Sequence, residues 1–70
     1  MIDLREINFL RANLKGINLE RTNLERANLE KIDLRGANLR ETDLERVYLD
    51  WTILAGANLV GTKLEKANLK

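Results

Sequence analysis

The side chains here that can carry charge or move a proton are almost all carboxylates, guanidiniums and ammoniums. Twelve Lys and Arg stand against eleven Asp and Glu in 70 residues, for a net charge of +1. Cys, His and Ser are absent. That excludes a nucleophile–histidine arrangement, a histidine general base and a metal site of the Cys/His type. Glu25, Glu45 and Glu65 recur every twenty residues, and each precedes a cation, Arg26, Arg46 or Lys66. Placed in outward columns these are solvated stripes in which opposite charges compensate, and such surface pairs contribute little. Gly16, Gly36 and Gly56 are also twenty apart, too dispersed for a phosphate-cradling loop, and read as turn residues. The expectation is no enzyme, no catalytic residue, no cofactor and no small-molecule substrate.

Two groups of residues are candidates for binding. Tyr48, Trp51, Ile53 and Val60 are apolar residues at positions that should face outward, and Trp and Tyr are enriched among interface anchors. They form the candidate protein-binding surface. Arg11, Lys15, Lys31 and Arg35 form a candidate basic patch beside Trp51, where a phosphate could be held and a base stacked. Asp33 and Asp50 dilute that patch, and Lys31 against Trp51 is more simply a cation–π contact. Nucleic acid is therefore an unfavoured partner.

All of these positions take their meaning from a repeat. Leu occurs at 4, 14, 19, 24 and every fifth residue to 69, with Phe9 as the single exception. Two residues before each stands a small or β-branched residue such as Ala12, Ile17 or Thr22, and the residue between is usually Asn or Asp. Five residues advance an α-helix by roughly 140°, which spreads the Leu over all faces. In a single strand, residues five apart point to opposite sides. A chain that turns after each unit buries the whole Leu column. Thr22/Thr42/Thr62, Asn18/Asn38/Asn58 and Gly16/Gly36/Gly56 recur at twenty residues, which predicts four units per coil.

Units such as Ala-Asn-Leu-Lys-Gly at 12–16, Ala-Asn-Leu-Glu-Lys at 27–31 and Ala-Asn-Leu-Arg-Glu at 37–41 resemble the A(D/N)LXX signature of the pentapeptide-repeat family. The resemblance covers residues 1–70 as a single domain. It implies an all-β fold, a right-handed quadrilateral β-helix, with about three and a half coils from 70 residues. The pattern weakens where Tyr48, Ile53 and Lys63 replace the usual Asn or Asp. By family resemblance the chain is a non-enzymatic scaffold or protein-interaction module. Some members resemble a DNA duplex and bind DNA topoisomerases, but those are long acidic rods, and a net charge of +1 departs from them.

Packing sets the remaining expectations. Each buried Leu contributes roughly 1.5–3 kcal/mol of transfer free energy. A Thr at the inner position must hydrogen-bond to a neighbouring coil or turn. The register runs from Met1–Ile2 to Lys70 without a capping helix; since uncapped solenoid ends expose strand edges, two readings compete, an excised or engineered fragment or self-association through coil ends. With no apolar run long enough to span a membrane and no signal-peptide core, a cytoplasmic location is expected.

Overall fold

A computed structural model describes residues 3–6, 8, 9 and 12–68. Its backbone is one ladder. Parallel bridges join residues twenty apart, from Asp3 to Asn23 through Tyr48 to Asn68. A five-residue unit with a pairing offset of twenty has only one arrangement, four sides to a coil. The first side is built around Leu4, Leu24, Leu44 and Leu64, the second around Phe9, Leu29 and Leu49. The third is built around Leu14, Leu34 and Leu54, and the fourth around Leu19, Leu39 and Leu59.

The corners follow from local chemistry. In the described units the amide of the small residue donates to the Leu or Phe carbonyl three residues earlier, from Ala12 to Phe9 through Ala67 to Leu64, at 2.8–3.3 Å. The residue just before that amide lies in the left-handed region, with φ between 57° and 71° at twelve described positions. A single positive φ at the third residue defines a type II turn. Glycine takes this conformation freely, as at Gly16 and Gly36. Eight of the positions are not Gly, so the ladder imposes the turn on Arg, Lys, Glu and even Trp51.

Asn and Asp complete the turn. Their Oδ1 accepts the amide two residues on in nine described units, as from Glu20 to Asn18 and from Glu30 to Asn28, both at 3.0 Å. This is the local satisfaction that makes Asx residues good turn formers.

Between coils, Leu amides donate to the coil that follows: Leu24 to Asp43, Leu29 to Tyr48, Leu34 to Ile53 and Leu39 to Asn58, at 2.8–2.9 Å. The reverse strand edge is met by bonds such as Asp43 to Thr22 and Ile53 to Ile32, both 3.0 Å. Inside, Leu24, Leu29, Ile32, Leu34, Leu39, Leu44 and Val47 are fully buried. Leu4, Phe9, Leu54 and Leu64 pack against this core while partly open.

The inner Thr residues separate into two cases. Thr42, Thr52 and Thr62 each donate to the carbonyl twenty-three residues earlier, that of Leu19, Leu29 or Leu39, at 2.7–2.9 Å. Thr22 is equally buried, but its hydroxyl has no partner among the described residues. No helix among the described residues is long and apolar enough to cross a membrane.

Candidate protein-docking surface

Every outward position belongs to a column repeated at twenty residues, so one coil can be compared directly with the next. On the third side Asp33 and Arg35 form a bidentate pair, the guanidinium donating to both carboxylate oxygens at 2.7–3.1 Å. That pairing, first of all, holds the Asp33 carboxyl down at about 2. On the fourth side Arg40 pairs with Glu20 at 2.8 Å and Arg21 with Glu41 at 3.0 Å. The hydrogen bond from Arg21 likewise lowers the Glu41 carboxyl.

One coil further on, all three pairs are replaced. Ile53 stands below Asp33, Ala55 below Arg35, Val60 below Arg40 and Gly61 below Glu41. From Trp51 to Thr62 the sequence holds no charged residue, in a chain that is 33% charged. Trp51 is 76% exposed, Val60 64%, Tyr48 50% and Ile53 48%. The Trp51 indole therefore stands in solvent and does not lie flat over the coil.

Local costs collect in this stretch. Tyr48, Ile53 and Lys63 offer no short oxygen acceptor, so the amides of Asp50, Ala55 and Glu65 lose the cap that Asn or Asp gives elsewhere. Trp51 holds φ at 62°, where a bulky residue is an outlier. The Oδ1 of Asp50 is buried without a hydrogen-bond partner, a group whose desolvation is uncompensated. The backbone ladder runs through all of this unchanged, with Leu34 donating to Ile53 and Lys63 to Thr42 at 2.9 and 3.0 Å.

The basic patch is less open than its sequence suggests. Arg35 is engaged by Asp33, and Lys15 lies close enough to help lower the same carboxyl. Lys31 is exposed, at a turn position with φ of 60°. Arg11 lies outside the described residues. Among the described residues no group of His, Cys, Asp and Glu is placed to hold a metal ion.

The two charged stripes also differ from the expectation of mutual compensation. Among the described residues no ion pair joins Glu25, Glu45 or Glu65 to Arg26, Arg46 or Lys66. Glu45 is pushed above the usual carboxylate range, first by Asp43, then by burial, then by Glu65. Stacking at the strand spacing of about 4.8 Å brings like charges together down each stripe.

The model of the family described as pentapeptide repeats matches residues 2–40 and 32–70, with eight copies. The chain belongs to the pentapeptide-repeat family. Pentapeptide-repeat proteins of known structure resemble it over nearly its whole length. The protein Rfr23 from the cyanobacterium Cyanothece 51142 is 34% identical with a TM-score of 0.64, over 97% of this chain and 43% of its own. The protein alr5209 from Nostoc Pcc 7120 is 35% identical with a TM-score of 0.56, over 93% of this chain and 66% of its own. HetL, from Nostoc sp. strain PCC 7120 and involved in heterocyst differentiation regulation, shares the fold with a TM-score of 0.58 at 23% identity, over 94% of this chain and 38% of its own. The chain thus spans between about two fifths and two thirds of these proteins' lengths. No curated protein matches it.

The family signature locates the columns but is blind to this surface. Ala55 and Gly61 were not singled out by residue type, since each is ordinary at its place in the repeat. The signal that finds them is the length of the uncharged run, read against the charge density of the rest.

Proposed function

We propose that this pentapeptide-repeat protein is a non-enzymatic protein-interaction module. In this reading a right-handed quadrilateral β-helix of about three and a half coils, 70 residues at twenty per coil, displays an apolar band to a protein partner. Trp51, Ile53 and Val60 would be the anchors, with Tyr48 at the edge. The observation that carries the reading is the replacement of three ion pairs by uncharged residues, one coil further on, on an unbroken ladder. Lost caps, a strained Trp and an orphaned Asp50 oxygen all fall between Tyr48 and Glu65, and rule-breaking that costs stability is expected where a surface serves function.

The other readings have weaker support. With net charge +1 the chain departs from the acidic rods of the DNA-mimicking kind. The engagement of Arg35 by Asp33 weakens a nucleic-acid patch. A photo-crosslinking residue placed in cells at Trp51, Ile53 or Val60, and at Asp3 and Asn23 as controls on the first side, tests the proposal. One defined protein adduct from the band alone is the expected result. Equal labelling from all five positions, or none from the band, overturns it.

A further inference from the structure

The corner between the first and second sides carries a different pattern. Down one column run Arg5, Glu25, Glu45 and Glu65, and down the adjoining one Glu6, Arg26, Arg46 and Lys66. At each of the four levels the two columns have opposite signs. All eight residues are at least partly exposed.

A second charged corner, after the fourth side, shows what is unusual here. Its columns alternate in sign, Glu20 over Arg40 and Arg21 over Glu41, and each pair closes vertically within the chain at 2.8 and 3.0 Å. In the first corner, from residue 25 onward, like charges stack instead. Vertical neighbours repel, and no described ion pair spans the two columns. Arg26 and Arg46 are left to line an open groove of about 470 Å³ with Glu6 and Tyr48, while Arg5, Arg21, Arg35 and Arg40 all have carboxylate partners.

We propose that this corner docks a second copy of the chain, side by side and parallel, about a two-fold axis along the coil. That operation lays the column of residues 5, 25, 45 and 65 against the second copy's column of 6, 26, 46 and 66. Arg5 then meets Glu6, Glu25 meets Arg26, Glu45 meets Arg46 and Glu65 meets Lys66, each twice by symmetry. The reversed sign at Arg5–Glu6 sets the register. A slip of one coil puts Arg5 against Arg26, and an antiparallel pairing puts Glu25 against Glu45. The groove beside Tyr48 receives the incoming acidic column. Arg5 already leans on Asp3 at 2.8 Å, so the three lower levels carry most of the contact. The surface meets the apolar band only at Tyr48, and its charge pairing stands without the band.

Sedimentation equilibrium of the whole chain at low and high salt, on four variants, tests the pairing. The unmodified chain is expected to dimerise at low ionic strength and to dissociate as salt is added, as screened charge pairs require. Glu45→Arg and Arg46→Glu should each weaken the dimer by about tenfold or more, by placing like charges in contact. The double swap, Glu45→Arg with Arg46→Glu, restores opposite signs against its own kind and should recover to within about threefold of the original, a difference under 1 kcal/mol. Unchanged circular dichroism verifies folding, and Glu6 and Glu41 already show that Glu accepts the turn conformation. A monomer at all concentrations in low salt overturns the proposal. So does a double swap no better than the single changes, or a salt-insensitive dimer lost on Ile53→Lys alone.

Discussion

The stretch from Thr22 to Leu49 and the stretch from Trp51 to Asn68 share one backbone and differ in almost everything attached to it. Both make the same turns, the same bridges and the same inter-coil bonds. In the first, Leu residues are fully buried or nearly so, Asx caps are continuous to Asp43, and Arg35 and Arg40 find carboxylates. In the second, two of the four Asx positions hold Ile53 and Lys63, and ion-pair columns end in Ala55, Val60 and Gly61. A five-residue ladder is specified by its inward pair and its turn. The outward positions are then free to carry whatever a partner demands, at a local cost that the core absorbs.

The largest test of that contrast is in the core. Leu34→Ala should lower stability by about 2–5 kcal/mol, and Leu59→Ala by less than half as much, because Leu59 is already partly in water. Urea unfolding measures both, and equal losses would erase the distinction between the two stretches. Next come the two buried threonines of one column. Thr42→Val breaks a bond to the Leu19 carbonyl and should cost about 1 kcal/mol. Thr22→Val removes an unpartnered hydroxyl and should be neutral or stabilising in the same melt.

Trp51→Gly relieves a left-handed conformation and should raise the unfolding midpoint, by about 1 kcal/mol in stability. Ile53→Asn gives the Ala55 amide the acceptor that other units have, a gain of about 0.5–1 kcal/mol, and it should remove crosslinking at the band. A variant that is both less stable and still crosslinked would refute the view that Ile53 is kept for docking.

The smallest effects are electrostatic. Asp33, held by Arg35, should titrate at about 2 by NMR. Because its folded value is depressed, its contribution is present above the unfolded value of about 3.9 and is lost as pH falls toward 2. Glu45 should titrate above the ordinary Glu range. A raised carboxyl works the other way, so Glu45 costs stability as pH rises through that range, and Glu45→Gln should be slightly stabilising at neutral pH in the monomer.

Much of this was legible in the residues. The Leu column and the twenty-residue recurrence of Thr, Asn and Gly specify inward positions and coil size, because burial and pairing both depend on period. Tyr48, Trp51, Ile53 and Val60 could be placed outward by the same frame. What the frame could not convey was the pairing of side chains across coils. Arg35 appears basic in sequence and is neutralised in space by Asp33. Glu45 and Arg46 are neighbours in sequence, yet the acidic neighbours Asp43, Glu65 and Glu25, not Arg46, move the Glu45 carboxyl. Thr22 and Thr42 are identical by position and differ only in whether the hydroxyl has a partner among the described residues.

The central claim is that the departure from the repeat lies in side chains and leaves the ladder intact, so that the apolar band is rigidly displayed. Residue-resolved amide hydrogen exchange tests it directly. Leu34 and Leu39, which donate to Ile53 and Asn58, should be protected to within about tenfold of Leu24, which donates to Asp43. If Leu34 and Leu39 exchange hundreds of times faster than Leu24, the coil carrying Trp51 and Val60 opens on its own, and the band is not a displayed surface.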